Sequence, residues 1–202
     1  MKAYLKAHQN IERLSAKAEA ELGNIQLEIL LGNQIKKCDI DDLVDIENSG
    51  WKAASGTSIY ASNTQNFYEC AIQALSVTND AYIIFLKAAD KRISCALAFK
   101  AKNRLFLHKI AYRDETKEFG PGNIMLLNLL RAMAQQPDID EVNLVTCPDW
   151  CERWHFQVAN RMSLRCFNTN LKGRIYSFLL NAKTYLKQRS KINTKAFEKH
   201  DE

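Results

Sequence analysis

Apolar and polar positions follow two different periods along this chain, and the switches between them mark out its elements. Residues 2–22 contain neither Gly nor Pro and are rich in Ala, Lys, Glu and Leu, which predicts a helix stopped at Gly23-Asn24. Ile25, Leu27 and Ile29 then alternate with Gln26 and Glu28, predicting a strand over 25–31. Helical spacing returns over 34–48 through Ile40, Leu43, Val44 and Ile46. NSGWKAASGTS (48–58) is a polar, glycine-punctuated loop. Another helix is predicted from Asn63 or Thr64 to about Val77, with Phe67, Ala71, Ala74 and Leu75 on its apolar side.

Three strands follow in close order: AYIIFLK (81–87), ISCALAFK (93–100) and RLFLHKIAY (104–112). The connections AADKR and AKN are short enough for hairpins, so this part reads as an antiparallel meander. Strict alternation along 104–112 puts Leu105, Leu107, Lys109 and Ala111 on one face and Phe106, His108, Ile110 and Tyr112 on the other. Both faces are then largely apolar, which predicts a central strand. A helix begins at Gly120-Pro121-Gly122 and runs to Gln136, its polar stripe confined to Asn128, Arg131 and Gln135, so it should lie flat on the sheet. VNLVT (142–146) and RMSLRCFN (161–168) read as strands, 150–156 as a short helix or turn, and 173–188 as a helix. The order implies an α/β (α+β mixed) domain with a mostly antiparallel central sheet flanked by helices. The expected division is an N-terminal helix at 1–24, one domain at 25–188 and a basic tail at 189–202.

Composition narrows the class. In 202 residues, 47% are hydrophobic and 25% charged, a globular balance that excludes disorder or a fibrous repeat as the dominant state. No apolar run approaches the ~20 residues that span a bilayer, and MKAYLKAHQN holds no apolar signal core, so a soluble, cytoplasmic protein is expected. The net charge is +5, with six basic residues among the last twenty positions. That charge is dilute beside a dedicated nucleic-acid patch, and no DNA partner is expected. Of the six cysteines, Cys147 and Cys151 form the one close pair. With His155 they still lack a fourth ligand, so no metal is expected and the cysteines read as free thiols.

The candidate chemistry sits where the 104–112 strand runs into the glycine turn. A helix N-terminus exposes unpaired N–H groups and about half a positive charge, which suits a pyrophosphate. Gly120 and Gly122 let a ligand approach the backbone, Pro121 fits the first helical turn, and Asn123 follows. On this turn alone an ordinary helix start is the favoured reading.

Four stretches change that balance: ENSGWKAASGT (47–57), LHKIAYRD (107–114), FGPGNIMLL (119–127) and NLVTCPDWCERW (143–154). As an ordered set over residues 10–170 they resemble the GNAT acyltransferase superfamily, specifically its CelD-like and FemAB-like branch, the BioF2-like acetyltransferase domain. The resemblance implies a GNAT-like fold and an N-acyltransferase. The acyl group, acetyl for preference, would pass from acetyl-CoA or another acyl-CoA to an amine, with an amino sugar or cell-envelope precursor as the acceptor class. It implies that the donor's pantetheine lies along 104–112 and that Gly120, Pro121, Gly122 and Asn123 hold its pyrophosphate. It also implies a partner where two GNAT-like halves are normally fused, either a homodimer or a separate N-terminal half.

The departures from the family pattern are Trp150 and Cys151 where the branch has Tyr-Lys, Asn143 where it has Asp, and Gly120 where it has Ser. Within this frame, Lys109 either projects into the acceptor cleft or pairs with a carboxylate. His108 is a general base or a packed histidine, and Tyr112 is the acid for the leaving thiolate or a packed aromatic. Trp51, Lys52, Glu47, Trp150, Cys151 and Arg153 are the acceptor-side candidates, with Glu47 orienting Lys52 or Lys109. The rival functions are a non-catalytic GNAT-like module and a tRNA-dependent aminoacyl transferase of FemAB type.

Overall fold

The computed structural model describes residues 2–49, 58–59, 62–146, 149–159 and 166–183, with the side chains of residues 2–7, 149, 152 and 153 outside that description. The chain divides into two compact units, residues 1–157 and 158–202. In the first unit the helices are α1 (Lys2–Leu22), α2 (Lys37–Asn48), α3 (Gln65–Ser76) and α4 (Pro121–Met133). The strands are β1 (Ile25–Leu31), β2 (Ala81–Ala88), β3 (Lys91–Ala101), β4 (Arg104–Tyr112) and β5 (Glu141–Asn143). They form a five-stranded sheet in the order β1-β2-β3-β4-β5. The first four strands are antiparallel to their neighbours and β5 lies parallel to β4. A parallel pairing cannot be closed by a hairpin, and α4 supplies the crossover. This is the mixed α/β, mostly antiparallel architecture that the element order implies.

Each face of the sheet buries its own core. On one, Tyr82, Ile84, Leu86, Leu105 and Leu107 meet Ile124, Met125, Leu126 and Leu129 of α4 and Ile11 of α1. On the other, Ile83, Phe85, Cys95, Leu97 and Ala111 meet Ile40, Leu43 and Ile46 of α2 and Ile72 of α3. Burying one such large side chain is worth ~1.5–3 kcal/mol, so these contacts, rather than helix propensity, hold the helices to the sheet. α4 is apolar around most of its circumference because the sheet covers one side and α1 another.

α2 is fastened by charge as well. The Arg92 guanidinium reaches Asp39 at 2.8 Å, Asp42 at 2.7 Å and Glu28 at 2.7 Å, and lies 4.0 Å over the Phe85 ring. Desolvation opposes its charge, but the hydrogen bonds it donates to Asp42, Asp39 and Glu28 outweigh it and raise the Arg92 pKa. Arg113 adds a 2.7 Å contact to Asp45. Arg92 on β3 and Arg113, the residue after β4, thus fix the helix that carries Glu47.

Four expectations change. β4 is not central: β3 is the middle strand and β4 lies second from the edge. On α3 the inward residues are Tyr68, Ile72 and Leu75, whereas Phe67 and Ala74 are exposed. β5 is shorter than the 142–146 expectation. Of the strand expected at 161–168, residues 161–165 lie outside the described residues and Cys166–Asn168 are not in a strand. In the second unit, helix α5 spans 171–183 and is capped by Asn170, whose Oδ1 accepts from Gly173 N–H at 2.9 Å.

Gly120 sits at φ 62°, the left-handed conformation that joins the 3-10 helix Asp114–Phe119 to α4. A Cβ there would meet Leu14 Cδ1 at 3.4 Å, so the backbone, not the space, forbids a side chain. Gly120→Ala is expected to lower unfolding free energy by ~1–2 kcal/mol in urea titration.

Candidate functional site

The site grows out of one irregularity in β4. Across the β3–β4 ladder, Leu97 faces Lys109 and the next residue, Ala98, faces Leu107, which leaves His108 as an extra residue in a bulge. An extra residue reverses the facing of everything beyond it. Leu105 and Leu107 therefore join the α1–α4 core, whereas Ala111 joins the α2–α3 core, with Lys109 on that same side. This corrects the strict alternation expected from the sequence, and it explains why both faces of β4 look apolar without the strand being central.

The bulge lies where β4 loses its other neighbour. β5 pairs only Glu141, Val142 and Asn143 with Arg104, Leu105 and Phe106. Beyond Asn143 the chain turns away. Val145 takes φ 60°, a strained value for a β-branched residue, and its N–H donates to Asn143 Oδ1 at 2.9 Å. Asn143 Nδ2 donates to Glu141 Oε1 at 2.8 Å. Among the described residues, no strand pairs with this edge of β4 from Leu107 to Tyr112.

The N-terminus of α4 stands at the end of this open edge. Asn123 and Ile124 N–H both donate to Gly120 O, at 3.0 and 3.2 Å, and Pro121 has no N–H. Gly122 N–H is thus the first-turn donor that faces outward, backed by the partial positive charge of the helix. A Cβ on Gly122 would touch only Tyr112 Cδ1, at 3.6 Å. Gly122 and Asn123 are half-buried, Pro121 buried, and the Tyr112 ring forms a side wall.

On the α2–α3 side, Lys109 Nζ lies 3.1 Å from Glu47 Oε1. Glu47 is 1% exposed. Its Oε2 accepts from Ile59 N–H at 2.6 Å, and Lys109 Nζ lies 5.3 Å from the Tyr68 ring centroid. The structure therefore brings Glu47 and Lys109 together. Reasoning from sequence missed Tyr68 and the Ile59 amide. The available signal was Tyr68's spacing of four from Ile72 on α3.

His108 packs edge-on against Phe99, ring centroids 5.0 Å apart. Burial, and then the charge of Lys109, push its pKa below the ordinary histidine value, so the imidazole is neutral at pH 7. Because the unfolded chain binds this proton more tightly, stability should fall as pH drops through the unfolded value of about 6.5. His108→Phe is expected to flatten that part of a stability-versus-pH curve measured by urea unfolding.

The remaining candidates lie elsewhere. Trp150 and Trp154 pack against the α1–α4 core, with Trp154 stacked on Phe156 at 5.6 Å, and Cys151 is 3% exposed. The structure does not join them to Lys109 and Glu47 on the opposite face. Arg153 lies in the 3-10 helix Asp149–Trp154, with its side chain outside the description. Trp51 and Lys52 are outside the described residues.

Residues 6–154 match a family model described as an acetyltransferase (GNAT) domain. No curated protein matches. Among solved structures, the chain is similar to a possible acetyltransferase from Clostridium difficile 630, with TM-score 0.53 and 11% identity, covering 71% of this chain and 99% of that one. It is also similar to a transcriptional regulator from Bacillus halodurans C-125, with TM-score 0.51 and 11% identity over 70% of this chain and 100% of the other. At such identities the shared property is the fold.

Proposed function

The chain belongs to the GNAT acetyltransferase family, and from that premise we propose that it moves an acyl group from acyl-CoA to an amine. The observation that carries this reading is the Gly120-Pro121-Gly122 turn at the N-terminus of α4, set beside Tyr112 at the end of β4. A pyrophosphate suits the outward Gly122 N–H and the helix N-terminus, and the donor's extended arm would run back along β4. Gly120, Pro121, Gly122 and Asn123 form the donor end.

Strand geometry separates the roles along β4. Tyr112 stands beside Gly122, and His108 is four residues back, ~13 Å of strand. Tyr112 therefore serves the phosphate end and His108 the reacting end. The amine nitrogen attacks the thioester carbonyl, the C–S bond breaks, and the thiolate leaves. Neutral His108 accepts the amine proton, and the same proton can be returned to the thiolate. Backbone N–H groups beside the thioester stabilise the developing oxyanion. Lys109, held by Glu47, contributes positive charge on the acceptor side. An amino sugar or envelope precursor is the acceptor class we favour. Trp51, Lys52 and Arg153 remain acceptor-side candidates, a homodimer or separate half the partner, and CelD-like the branch.

A specific observation favours a second reading, in which the fold binds CoA without acceptor chemistry. Cys151, where the branch has lysine, is buried, and Asn143 is engaged in the β5 turn. A thermal-shift panel with CoA, acetyl-CoA, longer acyl-CoAs and tRNA tests both. CoA at about 100 times its dissociation constant should stabilise by ~2.7 kcal/mol. Thiol release with an amine present marks the enzyme, and a CoA shift without it marks the binding module. A response to tRNA alone, with none to any CoA, would overturn both.

A further inference from the structure

The second unit carries a helix whose surface is sorted by chemistry. At about 100° per residue, Leu171, Ile175, Phe178, Leu179 and Ala182 of α5 share one arc roughly 100° wide. Arg174 borders that arc on one side, and Lys172 and Lys183 border it on the other. Leu171 is 74% exposed, Ile175 52%, Phe178 72% and Leu179 57%. The aromatic contact on α5, Phe167 with Tyr176 at 6.4 Å between centroids, lies off the arc.

The surrounding sequence is charged in one sense only. Between Phe156 and Phe197 there are nine Lys and Arg and no Asp or Glu. Residues 1–155 carry 18 basic and 20 acidic side chains, a net charge of −2. The overall positive charge of the protein is therefore that of its last quarter.

An occupant of the arc must accept both halves of this pattern. A second copy would set Arg174, Lys172 and Lys183 against their own equivalents, with no acidic residue nearby to relieve the repulsion. A nucleic acid would use the cations and leave Leu, Ile and Phe in water. An anionic bilayer surface takes the apolar arc at the level of the acyl chains and the flanking cations among the headgroups. No helix among the described residues is long and apolar enough to cross a membrane, so α5 would lie in the interface rather than span it. We propose that α5 is an interfacial membrane-binding helix for anionic phospholipid, with Leu171, Ile175, Phe178 and Leu179 inserted and Lys172, Arg174 and Lys183 on headgroups.

The test is co-sedimentation of the full chain with vesicles of phosphatidylcholine alone and with about 30% phosphatidylserine. Pelleting is expected with the anionic vesicles and should weaken as salt rises. Ile175→Ser with Phe178→Ser should abolish it without changing the melting temperature. Lys172→Gln with Arg174→Gln should lower the anionic partition coefficient on the order of 20-fold, about fivefold for each cation. Three results overturn the proposal. One is no pelleting with anionic vesicles, whether the chain instead forms a dimer lost in the Ile175/Phe178 variant or binds tRNA. The second is pelleting untouched by that variant. The third is a large fall in its melting temperature, which would show the arc packed inside the folded protein.

Discussion

Gly122→Asp is expected to abolish the thermal shift produced by CoA while leaving the ligand-free melting temperature almost unchanged. The two effects separate because they rest on different atoms. A Cβ at residue 122 meets only Tyr112 Cδ1 at 3.6 Å, an ordinary contact, and residue 122 is the second position of α4, where a carboxylate is favoured by the helix dipole. The folded protein should therefore lose little. That same carboxylate stands where a pyrophosphate oxygen would meet the Gly122 N–H. Two unit charges ~4 Å apart repel by about 4 kcal/mol at an effective dielectric of 20, close to a thousandfold in affinity. Gly122→Ala, which adds volume without charge, should keep most of the response. A folded Gly122→Asp protein with an unaltered CoA shift would place the donor elsewhere and remove the main support for the proposed function.

Lys109→Met should have the largest effect on stability. Glu47 is 1% exposed and its Oε1 lies 3.1 Å from Lys109 Nζ, so the substitution takes the Lys109 ammonium away from a buried carboxylate. Breaking a buried pair from one side typically costs ~3–5 kcal/mol, and the partial exposure of Lys109 argues for the lower end. In a chain of this size that corresponds to a melting temperature lower by about 6–12 °C. Glu47→Leu combined with Lys109→Met should restore most of the loss, because two apolar groups replace the pair. If the single substitution leaves the melting temperature unchanged, the pair does not carry a desolvated charge. Acyl transfer should fall in Lys109→Met, and in the double variant it should stay low although stability returns. That split separates a part in the reaction from a part in folding.

Much of the architecture was legible because it is written in local periods. The alternation at 25–31, the three closely spaced strands, and the apolar girth of the helix after Gly120-Pro121-Gly122 all reappear in the structure. What was not legible depended on register between strands. Nothing in RLFLHKIAY marks His108 as the extra residue, since the bulge exists only against β3. Once His108 is extra, Lys109 changes sides, and with it the choice of helices it can touch. The pairing of Glu47 with Lys109 was an open alternative in the sequence, because two lysines were available, and the contact with Lys109 is visible only in the geometry of β4. The Tyr68 contact was hidden for a related reason: Phe67 is the more apolar of two adjacent aromatics, yet the packing of α3 turns Tyr68 inward.

The covering of α4 by α1 has a consequence for how the protein is made. Arg131 on α4 donates to Glu12 on α1 at 2.8 Å, and Ile11 shares a core with Ile124 and Leu127. These partners stand more than a hundred positions apart, so α1 leaves the ribosome long before the surface it belongs to has been translated. At ~5–20 residues per second the interval is roughly 5–20 seconds. During that time the apolar side of α1 is open to chaperones and to neighbouring nascent chains. The antiparallel strands can pair as they emerge, but the face under α1 closes only after α4 is released. Truncated chains ending before Pro121 should therefore bind holdase chaperones, whereas chains extending past Met133 should escape them.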